Sequence, residues 1–542
     1  MSEWPWLLEL DPPPDPVAVF QHLAHDPFAL FLDSALVTPP PQPAAHAARL
    51  RLRRAQSSRA HAEGSPKSPE TPTAHPLGRY SFITAYPFAT LISRGEQTEF
   101  TQTDTGLTTL SAEDPFALLQ RHWRACAQPP ISGDANLPPF QGGVAGYWGY
   151  ELAHRLEKIP FVAQPARSTV PPPDMALGFY DWVLAWDHAS AGDPRCWLFC
   201  SGRPATEPSD RLPRAQQRAE QILALIGRPP PALAPWLVSP APPVADMRKP
   251  APRFHVPGHP GLTSTFSRPA YLAAVRRVLA SIAAGDVYQV NLAQQLHLPL
   301  TAHPWEHYQR LRRINPAPFA AFFVLPPGPE AEPGRVGGAI LSASPERFLR
   351  VQGGQVETRP IKGTRPRGRT ATSDAALRAE LAASAKDQAE NVMIVDLLRN
   401  DLSKVCQPFS VQAPELFAVE SYTTVHHLVS TVVGHLRPGL DAVDLLRACF
   451  PGGSITGAPK VRAMQIIASL EPTPRGVYCG ALGYLGFDGA FDSSIAIRTA
   501  VAGAHELSFG VGGGIVADSD PAAEYTETLH KAAGLWRGLT LP

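Results

Sequence analysis

Along this chain the apolar residues come first in short runs and alternations, and only later at helical spacing. The runs ATLIS (89–93), GVAGYWGYEL (143–152), ALGFYDWVLAW (176–186) and RCWLFCSG (195–202) predict strands. Arg268-Pro269 then opens a helix, YLAAVRRVLASIAAG, whose apolar residues recur three and four apart until Gly285 ends it. VYQVNLAQQLHL, FAAFFVL, AILSASPERFLRV and QVETRPI return to strand patterning, and the rest alternates helices with strands punctuated by glycine. An α+β protein with large antiparallel sheets is predicted, not a βαβ repeat.

Composition adds domain organisation and removes some functions. Of 542 residues, 48 are Lys or Arg and 48 are Asp or Glu, so no net charge favours nucleic acid or an anionic membrane. Apolar content of 44% is enough for real cores. Proline is the anomaly: residues 1–340 hold 49 of the 61. Two stretches concentrate it. Residues 38–76 are predicted as a disordered insertion, whose basic run RLRLRR is open to reading as a solvated loop or an acidic-partner site. Residues 229–265 are predicted as a Pro-rich linker between an N-terminal region, 1–228, and a catalytic domain, 266–542. Six Cys are too few for a disulfide scaffold. With no basic-then-apolar leader pattern and no long apolar span, a soluble cytoplasmic protein is expected. Only eight of the 48 basic residues are Lys.

One of those eight leads the candidate chemistry. In ETRPIKGTRPRGR, Pro360 and Gly363 bracket a tight strand exit that presents Lys362 among arginines. A guanidinium stays protonated, whereas a desolvated Lys can become a nucleophile or base. A surface Lys in a basic loop is the plainer alternative. The helix KDQAENVMIVDLLRNDL (386–402) is apolar round most of its circumference and predicted to be buried. Its Glu390 needs either an arginine, Arg399 or Arg365, or a metal ion. In DSDPAAEYTETLHKAAGLW (518–536), Glu524 and Glu527 share a face of a helix capped by Asp520. The helix dipole alone favours acids there, but with Glu390 they make three carboxylates, an oxygen set suited to Mg²⁺.

Two glycine loops do not meet the requirements of nucleotide sites. PGGSITGAPK (451–460) has P-loop spacing at Gly452 and Gly457 but carries Ala458 where Lys must stand. FGVGGGIV (509–516) leads into β-branched residues, not a helix. Both stay open as carboxylate or phosphate cradles. RGVYCGALGYLGFDGAFDSSIAIRTA (475–500) predicts two strands joined at Asp488-Gly489, aiming Tyr478 and Arg498 at one cavity. Arg binds carboxylates in bidentate fashion, so the sum describes a site for a small dicarboxylate.

These segments, in this order, resemble the chorismate-utilising enzymes, and within them the aminodeoxychorismate synthase component I branch. The resemblance is dense from about Phe266 to Trp536. It rests on DVYQVNLAQQL, SASPERF, ETRPIKGTRPRGR, DQAENVMIVDLLRNDLSKV, ESYTTVHHLVSTV, CFPGGSITGAPKVRAMQII, YCGALGYLGF, IAIRTA and GGGIVADSDPAAEYTET. LFLDSA (30–35), GRYSF (78–82) and GGVAGYWGYEL extend it more thinly into the first half. The first two nearly adjoin in the family, which makes 38–76 an insertion.

The resemblance implies a two-subdomain sandwich of antiparallel sheets wrapped in helices. It also implies amination of chorismate to 4-amino-4-deoxychorismate, a step toward p-aminobenzoate and folate. Isochorismate-forming relatives carry Lys where this chain has Gln289, and anthranilate synthases carry Ala where it has Lys362. By the same resemblance Lys362 is the nucleophile and Glu346 the general acid. Mg²⁺ is held by Glu390 and Glu527 with Glu524 nearby, and Gly513 and Gly514 support the ring carboxylate. Tyr478 and Arg498 hold the enolpyruvyl carboxylate, and Ser454, His427, Thr364 and Gln289 line the pocket. No glutaminase Cys-His-Glu pattern is present, so a separate glutamine amidotransferase is implied. Asp33 stands where relatives that bind tryptophan have Glu. The rival readings are an anthranilate synthase component I and a non-catalytic scaffold docking through its Pro-rich segments.

Overall fold

The computed structural model describes residues 6–36, 51–54, 76–128, 137–160, 171–188, 194–239, 252–328 and 331–540. Two antiparallel sheets, of 14 and 12 strands among these residues, lie face to face. Their facing sides are large and apolar: Phe82, Phe199 and Phe323 of one meet Tyr147, Tyr180 and Tyr484 of the other in a buried core. The outer face of the first sheet is covered by helices Pro208–Ile226, Pro304–Ile314 and Pro521–Thr540. Pro115–Cys126, Ala385–Ser403 and Ala442–Cys449 cover the second. The predicted α+β class and sandwich therefore hold. Because both faces of each sheet are covered, the central strands read as unbroken apolar runs.

Three predicted single runs are each two strands in different sheets. ALGFYDWVLAW splits at Asp181 into Met175–Tyr180 of the 12-stranded sheet and Trp182–Asp187 of the 14-stranded one. AILSASPERFLRV splits between Gly338–Ser344 and Arg347–Gln352, so that Pro345 and Glu346 make the step between sheets. Within 475–500 the Asp488-Gly489 hairpin joins Ala481–Gly486 to Phe491–Ile495 as predicted, but the chain then steps through Arg498 into Thr499–Ala502 of the other sheet. Periodicity cannot register such steps, since the side chains on both sides of each are apolar.

Both sheets run through both halves of the chain. Phe319–Leu325 pairs with Leu30–Asp33 in one, and Ala481–Gly486 with Gly143–Trp148 in the other. The 229–265 segment joins two portions of shared sheets. Within its described part Trp236 donates to the Gly503 carbonyl at 3.1 Å, while Phe254–His255 and Thr263–Ser264 are short strands at the edge of the 14-stranded sheet, where only a linker was predicted. Most of the 38–76 insertion lies outside the described residues. Arg51–Arg54 within it forms a strand where none was predicted, on the free edge of Trp6–Asp11, whose unpaired backbone groups supply its hydrogen bonds. Among the described residues no helix is long and apolar enough to cross a membrane.

At one seam Gly146 faces Gly483. Gly146 has φ +147°, and a Cβ there would overlap the Ala176 carbonyl oxygen of the next strand. Gly146→Ala is therefore expected to lower folding stability by about 3 kcal/mol, seen as a fall in the urea unfolding midpoint.

Candidate active site

Lys362 lies inside the strand Ile361–Pro366, not at a strand exit as predicted. The register of this strand on Val425–His435 jumps from Ile361↔Val429 to Thr364↔His427, so Lys362 and Gly363 bulge from the ladder. Gly363 adopts φ +84°, and a Cβ would press on Asp387 and Leu381. Three neighbouring arginines are tethered: Arg359 to Glu420, Arg365 to Glu380 and Asp387, Arg367 to Asp374. Lys362 instead reaches the Ser454 carbonyl at 3.5 Å. Ser454 in turn donates its hydroxyl to Glu346 at 2.7 Å. The glycine loop, Lys362 and the sheet-crossing step thus meet at Ser454. Glycines 452 and 453 serve packing, since Cβ atoms there would strike Ile495 and Leu397.

Burial sets the protonation of this group. It pushes the Glu346 carboxyl up to about 7, against the Ser454 hydrogen bond and the Lys362 charge. It lowers the Lys362 pKa, against the pull of Glu390 and with help from Lys531. A carboxylic acid and a weakened ammonium side by side are suited to proton donation and nucleophilic attack.

Arg498 occupies the second sheet-crossing step, at φ +49°. Burial alone lowers its pKa, and among the described residues its guanidinium has no hydrogen-bond or ion-pair partner. Arg498 is half-buried, and an unpaired guanidinium in such a place favours the arrival of an anion. Next to it in charge terms is His427, which burial and then Arg498 lower to about 3, leaving it neutral. Its Nδ1 lies 2.9 Å from the Thr364 hydroxyl. Tyr478, outside the strand where alternation was expected to aim it, rests its ring on Gly510, whose missing Cβ makes the room. Gln289 is fully buried and both its carboxamide atoms lack partners; it lies against Gly514.

The three carboxylates come from two helices. Glu390 of Ala385–Ser403 is half-buried, and burial raises its pKa against the pull of Lys362 and Lys386. Neither predicted arginine reaches it: its ion-pair partner is Lys386 at 3.9 Å, while Arg399 pairs with Asp396. The helix buries only one face, with Val392 exposed, where an apolar circumference had been read as full burial. Burial also raises Glu524, although Ser519 donates to it at 2.6 Å. Glu527 goes the other way: burial is outweighed by Lys531, 2.7 Å away, and its pKa falls. Gly513 faces this helix, 3.0 Å from Glu524 Oε2 at its would-be Cβ. Carboxylate oxygens are the donors Mg²⁺ takes, and Glu390 and Glu524 each feel the charge of Glu527, so the residue types fit. Their spacing is open: no group of three or more His, Cys, Asp or Glu among the described residues converges on one point.

A family profile described as chorismate binding enzyme matches residues 76–537, spanning both sheets and every residue above. The chain belongs to that family. It is 43% identical to aminodeoxychorismate synthase component 1 of Klebsiella aerogenes, covering 84% of this chain and 89% of that one. It is 42% identical to anthranilate synthase component 1 of Streptomyces coelicolor, covering 78% and 76%. The crystal structure of anthranilate synthase component I from Streptococcus pneumoniae superposes with a TM-score of 0.67 at 27% identity, covering 88% of this chain and 96% of that one. The match reaches well into the N-terminal half, where the motifs alone were thin.

For a chorismate-binding enzyme, two further features matter that sequence reasoning missed. Lys531 binds Glu527 and the Gly512 carbonyl, the latter at 3.0 Å, and so joins the acidic helix to the glycine strand. Its place four residues after Glu527, in a chain with eight lysines, was the available signal. All six thiols have pKa values raised, chiefly by burial, so none is poised as a thiolate nucleophile. A groove of about 810 Å³ lined by Lys158, Arg277 and Arg462 contains none of the residues of this site.

Arg498→Leu is expected to stabilise the free protein by up to about 1 kcal/mol, because it removes an unpaired, half-buried charge. Thermal unfolding without ligand should show the Tm rising while affinity for a dicarboxylate substrate collapses. An unchanged or lower Tm would mean that Arg498 has a structural partner.

Proposed function

We propose that this chain converts chorismate and ammonia to 4-amino-4-deoxychorismate. The observation that carries the reading is the pairing of Lys362, bulged from its strand and without a carboxylate ion pair among the described residues, with Glu346, whose carboxyl burial pushes up to about 7, across Ser454. The relatives named aminodeoxychorismate synthase component 1, at 40–43% identity over 84% of the chain, support the same product. Relatives named anthranilate synthase component 1 keep that amination as the second reading.

Chorismate carries two carboxylates. Arg498, with Tyr478 as its proposed helper, takes the enolpyruvyl carboxylate, which supplies the anion that its unpaired charge favours. The ring carboxylate lies toward Gly513, Gly514 and the acidic helices, with His427, Thr364 and Gln289 along the wall. Mg²⁺ would be held there by Glu390 and Glu527 with Glu524 nearby, and when bound it supplies positive charge for that carboxylate. Lys362, unprotonated, attacks C2; the ring double bonds shift and the C4 hydroxyl leaves as water, taking its proton from Glu346. Ammonia then attacks C4, the double bonds shift back, and Lys362 is expelled from C2. A neutral His427 near Arg498 adds no competing charge. Ammonia would be delivered by a glutamine amidotransferase chain, a need that agrees with the protonated, mostly buried state of all six thiols.

Incubation with chorismate, Mg²⁺ and ammonium should give 4-amino-4-deoxychorismate; fluorescent anthranilate formed without added lyase would select the second reading. Lys362→Ala and Glu346→Gln should each lower kcat by about 100-fold or more. The kcat/KM profile should be bell-shaped, with limbs belonging to the coupled Lys362–Glu346 pair. Undiminished turnover of Lys362→Ala would remove covalent addition from the scheme.

A further inference from the structure

Beneath the site lies a buried charge network that the scheme above does not use. Arg475 and Glu471 are both almost wholly enclosed and form a two-pronged ion pair, at 2.7 and 2.9 Å. Glu471 also accepts the Ala293 amide at 2.9 Å. The remaining Arg475 donors go to two backbone carbonyls, Ile455 at 2.9 Å and Asn291 at 2.7 Å. Its guanidinium lies between the rings of Tyr150, 4.7 Å away, and Tyr478, 5.9 Å away. Glu151 of the N-terminal half accepts the amides of Arg475 and Gly476, each at 2.8 Å. The cavity alongside is about 20 Å³, too small for a substrate. Arg475 can therefore act only through the groups it holds.

Those groups are the supports of the site. Ile455 is the residue after Ser454, in the short turn Gly453–Ile455. Asn291 lies in the strand that carries Gln289 and pairs with the Gly513–Gly514 segment. Resting on the roles given above to Glu346 and Ser454, we propose that Arg475 is a positioning residue: anchored by Glu471, it holds the glycine loop by the Ile455 carbonyl and so sets the Ser454 hydroxyl on Glu346. A bidentate fork suits this task, since one side chain must reach a carboxylate and two carbonyls in fixed directions. Lys at this position keeps the charge and loses that geometry.

The Ser454 hydrogen bond favours the ionised form of Glu346, so losing it raises the proton affinity of Glu346. In the full chain with saturating Mg²⁺ and ammonium, Ser454→Ala should move one limb of the kcat/KM profile to higher pH by about half a unit. Arg475→Lys should move the same limb the same way and lower kcat about tenfold, with KM changed less than about twofold. The double variant should move that limb no further than Ser454→Ala alone, because the two changes act through one bond. Glu471→Gln, which keeps the side-chain shape, replaces Arg475→Lys if that variant does not fold. Limbs that stay put in Arg475→Lys, or shifts that add in the double variant, would overturn the proposal.

A second arm needs no turnover. Hydrogen–deuterium exchange of the peptide spanning residues 451–459 should accelerate in Arg475→Lys, while that of the distant strand Ala89–Arg94 does not. Unchanged exchange at 451–459 overturns the positioning role on its own. Absence of aminated product from the wild-type chain, with exchange accelerated, instead sinks the proposed reaction and leaves the positioning of the loop standing.

Discussion

The site depends on the fact that the chain must step between two sheets whose facing sides are dry. Gly338–Ser344 and Arg347–Gln352 belong to different sheets, as do Phe491–Ile495 and Thr499–Ala502. Each step buries backbone groups that cannot reach water, so each must be satisfied by a neighbour. The two steps satisfy each other: Ala343 donates to the Arg498 carbonyl at 3.0 Å, Ile495 to that of Glu346 at 3.1 Å, and the Ser344 hydroxyl to that of Ile495 at 2.6 Å. Side chains leaving such steps start from a rigid backbone and emerge in a place of low dielectric. The acid Glu346 and the cation Arg498 are those side chains.

Low dielectric is indifferent to purpose, and the molecule answers it in two ways. Where a charge serves the fold, it is paired in full: Arg312 with Asp33 at 2.7 Å, Arg347 with Asp492 and Glu357 at 2.9 and 2.7 Å, Arg475 with Glu471 at 2.7 Å. At the candidate site the pairing is left incomplete. Burial pushes the Glu346 carboxyl up to about 7 and lowers the Lys362 pKa, and Arg498 has no counter-ion among the described residues. Local rules of pairing fail at such positions when, as the proposed reaction requires, a ligand is the partner they await.

That contrast also explains what could be read from sequence. Strand runs and the two glutamate helices were legible because burial and amphipathicity leave periodic marks, and the ordered motifs named Lys362, Ser454 and Glu346, which the structure brings together. The steps between sheets were not legible, since Asp181, Glu346 and Arg498 interrupt apolar runs that continue on the far side in another sheet. The Lys362 bulge was mistaken for a strand exit because Pro360 and Gly363 signal a turn and a bulge alike. Full burial of the Glu390 helix was wrong because Val392 and Asp396 share its exposed side. Arg475 escaped notice since its partners, two carbonyls and a residue four positions back, have no sequence signature beyond proximity to Tyr478.

The preference for Arg over Lys takes on meaning at the site. In residues 359–367 three arginines each hold a carboxylate and pin their strand and its surroundings, and the single Lys between them stands clear. The other four lysines after residue 341 are also specialised. Lys386 and Lys531 attend the site glutamates, while Lys404 and Lys460 share the buried carboxylate of Asp401. Lys460 also donates to the Cys449 carbonyl at 2.7 Å, tying the helix after the glycine loop to the one before it. A compact ammonium can share one carboxylate with a second cation, and it can give up its proton; a planar guanidinium fork serves neither need well. Guanidinium groups thus fix the frame, and ammonium groups are kept where a charge must be shared, displaced or lost.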